Sequence, residues 1–586
     1  MLHPGRSSTN SHSSKLQERT REREPAMSTQ TKSPSAPEEV STPAEPYFNL
    51  VDDPWIPVLN VDGSESTVSL KGAFESAETI RQVQGELPTM RPATFRILVA
   101  VMSRALGLPT SPSDWLAKCD DWTHVKEAVS AYLSEHRDRF WLCHPEHPFF
   151  QVADLGPATG EVKGLEAVVA DFPANVQAFT QRGPNSLKRM SAAEAARWVI
   201  HAQAYDPSGI KTPDRRDPRA KGGKVYPLGT GWGGKGEILI ASGINLGETL
   251  RLNFVGADGR FVVSGRDDLP PWERPHPGSL TEFADPAQPR GFIQVYTWQA
   301  RRMRLVFDGD DVVGIVLSYG DPLSEQNRDS LDPMMTWRYS KPQSSKFGTT
   351  VFMPGMVDPT KSVWRSLTAW LPTRAQNRTD DQPRFREPGV LRWVGELHKH
   401  SVLPPELMPN IELYGVEYGN MSATYSDLVS DSLQVPPFLL EEDAIDSAQT
   451  VIHAVDDADT VAWYVGTLAV NLANARGVDP AEGLRAEARE EAYVRFGRLF
   501  VQWLDTMKAD SEWHRARRIW QETLRRDATD LAARLAAEAG TRSYFGRIID
   551  AEHGTWITTD LALGHFQRGL RKTLPLAYKE KTDVTH

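Results

Sequence analysis

From Ala444 onward the chain changes texture, and that change limits its architecture more than any other feature. The segments 444–474, 480–508, 510–538 and roughly 557–573 are rich in Ala and repeat apolar residues at three- and four-residue spacing. Such stripes are too narrow to be stable alone and are buried by packing against one another. Four of them joined by short connections predict an up-down four-helix bundle over residues 441–586. The sequence before that point has a different grammar: short strand-like runs, isolated helices, and turns marked by Gly and Pro. The expected fold is therefore α+β, a mixed α/β body over residues 47–440 followed by the all-α bundle. Residues 1–46, dense in Ser, Thr, Pro, Glu and Arg, bury too little apolar surface to fold and are expected to form a disordered tail, with a second candidate start at Met27.

Within the body, the stretch from Trp198 to Gly243 stands out. A helix over 191–205, with Ser191 and Glu194 spaced as a capping box, runs into Tyr-Asp-Pro-Ser-Gly and a loop crowded with Gly, Pro and basic side chains. Between Tyr205 and Lys235 stand seven Lys or Arg and three Asp, while the whole chain carries a net charge of −11. A basic, glycine-rich loop in an acidic protein suits close backbone approach to a polyanion, with open amides as donors. The acidic balance argues against a free-standing DNA-binding protein and fits a subunit presenting one basic patch.

Other elements read more plainly. Tyr47 to Val58 reads as a strand pair around Asp52-Asp53-Pro54, residues 90–107 as a helix, 113–136 as one helix, and 140–152 as a strand entering a Pro-broken turn. Residues 237–320 read as mostly strand, with turns at Gly256–Gly259 and Asp308–Asp311, and 411–432 as a strand, a turn at Gly419-Asn420 and an exposed segment. Residues 362–400 mix helix with a charged loop beginning at Thr373. Two cysteines, Cys119 and Cys143, exclude a four-cysteine zinc site or a disulfide framework and fit a reduced, cytoplasmic setting. The best apolar run, Ile97 to Leu108, is too short to span a membrane, and no secretion signal is visible.

Motifs for catalysis are missing from the sequence. Gly229-Thr-Gly231-Trp-Gly233-Gly234 matches the glycine spacing of a dinucleotide site, but a strand follows it where a helix is required. His144 and His147 flank a Pro and read as a polar turn; no metal site and no cofactor are expected. Arg515, Arg517, Arg518, Arg525 and Arg526 read as a solvated helix face, with a DNA-backbone groove as the second reading.

Three blocks taken together carry a family resemblance: Phe48 to Val58, Phe140 to Val152, and Tyr205 to Gly234. In this order they resemble the CasA family, the large subunit of the type I-E CRISPR surveillance complex Cascade, over about residues 47–575. The resemblance implies a non-enzymatic protein. It would recognise the protospacer-adjacent motif (PAM) in double-stranded DNA through the minor groove, start duplex opening, help hold the displaced strand, and recruit the helicase–nuclease. Its partners would be the target DNA, the guide RNA and the other Cascade subunits. The family's glycine loop falls on Pro207, Ser208 and Gly209 with Lys211 beside it, and its basic finger on Arg328 with Asn327. Its upstream loop falls on Phe179, Thr180, Gln181 and Arg182, extending to Arg189. Its strand-splitting wedge falls on Gly419, Asn420 and Met421, where Met421 replaces the expected Gln; an apolar side chain can still unstack a base step. The alternative is a structural cap that tethers the guide RNA end and docks partner subunits without reading DNA. A nucleotide-dependent enzyme built on the 229–234 glycines is the third, disfavoured reading.

Overall fold

In a computed structural model of the chain, residues 45–578 are described apart from 172–179, 181, 183–186, 258–260, 279–288, 373–383, 480–482 and 551–553. Nearly all of the expected tail, most of the charged loop from Thr373, the second half of the Gly256–Gly259 turn, Phe179 and Gln181 lie outside the described residues.

The body is built around the helix Met90–Leu106, buried on nearly every face and closed by Gly107 at φ +64°. It carries Arg91 and Arg96 into the interior, each against a carboxylate: Arg91 forks onto Glu412 at 2.7 Å through Nε and Nη2, and Arg96 meets Asp332 at 2.8 Å. The fork-to-carboxylate pair at Arg91 holds geometry as well as charge, and Arg96 meets both Asp332 oxygens through Nη2, so this helix registers the parts of the body that supply Glu412 and Asp332. Among the described residues the strands form six small sheets of two or three strands. Two of these matter for the site. One orders Tyr425–Gln434, Asn410–Tyr418 and Ile238–Ser242, all antiparallel. The other orders Met190–Ser191, Asp311–Tyr319 and Arg301–Asp308, with Arg301 opposite Tyr319.

Several local expectations are corrected. The strand Tyr47–Asn49 pairs with Trp141–Cys143, not with Ile56–Asn60, which joins Glu65–Val68 and Ile80–Val83. The Asp52-Asp53-Pro54 turn therefore hands the chain from one sheet to another. The single helix over 113–136 is two, Pro112–Cys119 and Trp122–Glu135, because the Asp121 side chain accepts from the Thr123 amide and starts the second. Residues 237–320 are only partly strand: Asn245 caps a helix, Leu246–Leu252, and the next long strand begins at Arg301. The segment after Gly419-Asn420 is itself a strand, Tyr425–Gln434.

The C-terminal region has the four long helices expected: Ile445–Arg476, Leu484–Leu504, Trp513–Ala539 and Thr559–Thr573. The last connection is longer than a turn and contains a short helix, Arg542–Phe545, and a strand pair, Arg547–Asp550 with Thr555–Ile557. Trp520 and Phe500 are fully buried among the helices, and the Trp364 ring of the body lies tilted at 32° with its centroid 5.0 Å from that of Phe500.

Candidate nucleic-acid interface

The helix Ala192–Tyr205 delivers the loop. Its N-terminus is half of the expected capping box: Ser191 Oγ accepts from the Glu194 amide at 3.2 Å, while the Glu194 carboxylate takes Trp198 Nε1 at 3.1 Å and Arg182 at 2.8 Å. At its other end the chain leaves through Asp206-Pro207-Ser208-Gly209. Gly231 folds back against that end, its amide donating to the Asp206 carbonyl at 3.0 Å; an added Cβ would lie 2.4 Å from the Ala204 carbonyl. The glycines at 229–234 thus serve close packing on a helix end and enter a strand, which removes the geometry a dinucleotide phosphate needs.

The glycine loop and the hairpin tip meet. The Ser208 amide donates to the Ser422 carbonyl at 2.7 Å, and Gly209 lies beside Ala423. The tip is brought there by a register shift between Glu417 and Tyr418, which places Tyr418 opposite Tyr425. A shift of this kind re-aims side chains. Both hydroxyls then donate to one acceptor, the Tyr205 carbonyl, at 2.7 and 3.0 Å. Burial holds both phenols far above the ordinary tyrosine range, so both stay donors. At the apex Met421 is 82% exposed and sits at φ +55°, with Ser422 at φ +54°. A non-glycine residue in the left-handed region stores strain, and two in succession at an exposed tip fit a functional turn.

The amides of the glycine loop are not open donors. Ser208 N–H is taken by Ser422, and Gly209 N–H turns back to the Pro207 carbonyl at 3.0 Å. Ser208 is buried, and its Oγ accepts from the Gly229 amide at 3.2 Å. Lys211 is only 8% exposed, and its ammonium sits 2.7 Å from Asp206. Burial pushes the Lys211 pKa down, and Asp206 only partly restores it. Burial would push Asp206 up, but Lys211 and Arg301 together hold it below the usual carboxylate range.

Half of the remaining local positive charge is paired as well. Arg216 bonds to Asp214 and Asp154, Arg219 to Asp217, and Lys235 to Glu325. Arg215, Lys221 and Lys224 have no carboxylate partner among the described residues and face solvent. Lys221 and Lys224 stand opposite each other across Gly222-Gly223, whose φ values are +59° and +72°, a two-residue turn that needs glycine.

The other expected site residues lie elsewhere. The Arg182 guanidinium is ion-paired to Asp171 and Glu194, and its amide donates to Thr180 Oγ1 at 3.1 Å. Arg189 bridges Asp308 and Asp311 at the neighbouring turn. Asn327, at φ +53°, donates Nδ2 to the Thr350 carbonyl and accepts from the Phe352 amide, so it pins a loop. Arg328 is half-buried, donates to the Ser324 carbonyl at 3.3 Å and is lowered in pKa by burial. The structure therefore brings 206–211 and 418–425 together and leaves 327–328 outside that cluster. Of the bundle arginines, Arg517 lies 3.4 Å from Asp457, and Arg525 covers the Tyr578 ring. His144 Nδ1 accepts from the amides of Glu146 and His147, the expected polar turn, and no metal-holding group of His, Cys, Asp or Glu occurs among the described residues. No helix among the described residues is long and apolar enough to cross a membrane.

Sequence reasoning missed Arg301. It is 2% exposed, and its guanidinium bonds to the Asp206 carboxylate and to the carbonyls of Asp206, Pro207, Gly229 and Ala300. The available signal was Arg301-Arg302 at the head of a strand: consecutive residues point to opposite faces, so at least one arginine had to face inward.

Comparison with known proteins follows the same lines. A family model described as CRISPR-associated protein Cse1 matches residues 49–531. A CRISPR-associated protein CasA/Cse1 of Thermus thermophilus is 28% identical over 526 residues, covering 85% of this chain and 93% of its own. The crystal structure of Thermobifida fusca Cse1 superposes with a TM-score of 0.82 at 37% identity, over 91% of this chain and 99% of that one. The Cse1 of Acidimicrobium ferrooxidans gives 0.72 at 28% identity, over 90% and 98%. A chain of a CRISPR RNA-guided surveillance complex shares the fold, with a TM-score of 0.60 at 16% identity, over 84% and 99%. The chain belongs to the CRISPR-associated Cse1 (CasA) family.

Proposed function

We propose that this chain is the non-catalytic large subunit of a type I-E Cascade complex, assembled in the cytoplasm with guide RNA and the other subunits. In this role it reads the protospacer-adjacent motif in double-stranded DNA from the minor groove, starts duplex opening for R-loop formation and helps recruit the helicase–nuclease. The observation that carries the reading is the 2.7 Å bond from Ser208 to Ser422, which sets a compact glycine loop beside an exposed, strained tip. The loop contributes shape, since its amides are engaged, and Met421 contributes an apolar wedge of the kind that unstacks base steps. Arg215, Lys221 and Lys224 supply the sequence-independent phosphate attraction, and base pairing to the guide supplies the remaining specificity.

A second reading, a cap that tethers the guide RNA end and docks partners, draws support from the pairing of Lys211, Arg216, Arg219 and Lys235, which takes four of the seven local cations away from DNA. Duplex binding by the guide-loaded complex separates the two. It is measured with and without this subunit, on targets differing only in the adjacent motif. Motif reading predicts that removing the subunit or the motif weakens binding, and that the two losses do not add. Equal discrimination without the subunit leaves the cap.

A further inference from the structure

We infer that Arg301 is the positioning residue that holds the glycine loop and the hairpin tip as one rigid reader; the inference rests on the motif-reading function proposed above. The guanidinium lies beneath the loop and satisfies backbone carbonyls on both sides of it, Asp206 at 2.8 Å, Pro207 at 3.2 Å and Gly229 at 3.0 Å. Its Nε holds the Asp206 carboxylate, and Asp206 holds Lys211. Directly across the strand pair, Tyr319 lies 4.7 Å under the same guanidinium and donates its hydroxyl to the Gly209 carbonyl at 2.5 Å. The loop is thus pinned at 206, 207, 209 and 229 from one pair of strand residues, Arg301 and Tyr319.

The other side of the loop meets the tip through Ser208 and Ser422, and the tip hangs from Tyr205 through Tyr418 and Tyr425. No residue of the clamp need touch DNA. A planar guanidinium reaches the carboxylate through Nε, the Ala300 carbonyl through Nη1 and three loop carbonyls that share the two N–H groups of Nη2, whereas a lysine ammonium has three donors on one atom. Losing the fork leaves the Gly229 carbonyl without its donor and leaves the Asp206 and Pro207 carbonyls held only by the amides of Gly231 and Gly209, and the loop relaxes away from the geometry that sets Gly209 beside Ala423.

The test compares wild type with R301K and Y319F, each in the full guide-loaded complex and as the full chain alone. Expected for R301K is normal assembly and unchanged binding to non-target duplex with unchanged salt dependence, because no phosphate contact is lost. The ratio of affinities for correct over incorrect motif should fall about ten-fold or more, the size of one buried charge-assisted hydrogen bond. Y319F, which keeps the ring and loses one O–H, should show a smaller fall of the same sign and carries the test if R301K fails to assemble. In the full chain without DNA, hydrogen exchange at the Ser208 amide should quicken in R301K while amides in the middle of the helix Ala192–Tyr205 do not change. Unaltered discrimination in both variants overturns the inference, as does unaltered exchange at Ser208. If the wild-type complex does not discriminate motifs, the motif reading fails by itself, and the exchange measurement then decides the clamp.

Discussion

Two regions of this molecule are held together by different physics. The C-terminal helices are joined chiefly by apolar burial: Trp520, Phe500, Leu524 and Ala458 are completely removed from solvent, and scattered polar contacts such as Arg495 with Asp527 and Gln521 with Asp457 cross between helices. The proposed reader, formed by 205–235 and 418–425, has almost no regular structure and is organised by Asp206, Lys211, Arg301 and three tyrosine hydroxyls. Apolar packing is non-directional and tolerates redistribution, whereas buried polar networks specify one geometry and fail when a single partner is lost. A scaffold needs the first property and a surface that must match a groove needs the second. The contrast is sharpest under substitution, where the helices should lose stability without losing specificity and the reader the reverse.

The largest expected effect lies in the helices. Trp520 is fully buried, and its Nε1 donates to the Ala454 carbonyl at 3.0 Å. Trp520→Ala should cost about 3–5 kcal/mol of unfolding free energy in denaturant titration. Motif discrimination per folded complex should be unchanged, and a change in it would break the separation of the two regions.

Acidification should move the two regions in opposite directions. Burial pushes His201, beneath the reader, down from 6.5 to about 4, against the opposing pull of Asp206 and Glu86. Its neutral ring bonds Thr89 at 2.9 Å and lies among Trp198, Tyr205 and Tyr425. A depressed folded pKa means that this stability is complete above 6.5 and is lost as pH falls through 4. Asp457, on the helix Ile445–Arg476, is pushed by burial from 3.8 up to about 6, with Arg517 and Gln521 only partly compensating. Its contribution is complete below 3.8 and is lost as pH rises through 6. Each is worth about 2–3 kcal/mol over its window. Lowering pH from about 7 to 5 should therefore lower the amide protection factors, which are corrected for the intrinsic pH dependence of exchange, in Ala192–Tyr205 and raise them in Ile445–Arg476, with Asp457→Asn abolishing the second response.

A mid-sized effect is expected at Gly231, where an added Cβ would meet backbone atoms of Ala204 and Tyr205 at 2.4–2.6 Å, which cannot rotate away. Gly231→Ala should destabilise by about 1–3 kcal/mol, and motif discrimination should fall more than that loss of stability alone produces. Smaller again is the tyrosine latch. Tyr418→Phe or Tyr425→Phe removes one of two donors to the Tyr205 carbonyl, about 1 kcal/mol each, and the double variant should cost more than the sum because only then is that buried carbonyl orphaned. Strict additivity in the cycle would show that the hydroxyls do not share an acceptor.

What the sequence made legible follows the same division. The long helices were readable because their 3.6-residue periodicity is local: 444–474 was expected and Ile445–Arg476 is found. The glycine loop and the tip were placed individually, by resemblance. Their contact was not readable, since Ser208 and Ser422 are far apart in the chain and meet through backbone atoms, which no side-chain pattern encodes. The loop's net charge was countable, but not its pairing: Asp214 and Asp217 each fold back on an arginine two residues on, and Lys211 turns inward. Arg301 enters from a strand in another sheet, so neither its burial nor its partners show in local spacing.

The finest test of the comparison is the tip itself, where stability and function should part company. Met421 at φ +55° has almost no contacts to lose, being 82% exposed, yet its backbone is in a conformation that glycine adopts without penalty. Met421→Gly should therefore leave stability unchanged or raise it by up to about 1 kcal/mol, the strain of the left-handed region set against glycine's greater unfolded entropy. If the tip separates bases with an apolar side chain, the same variant should bind motif-containing duplex nearly as well as wild type but open it more slowly, read as the rate of fluorescence increase from 2-aminopurine placed beside the motif. Met421→Leu, which keeps an apolar side chain, should restore most of that rate while retaining the strain. Equal opening rates in all three proteins would mean that the Met421 side chain does not open the duplex.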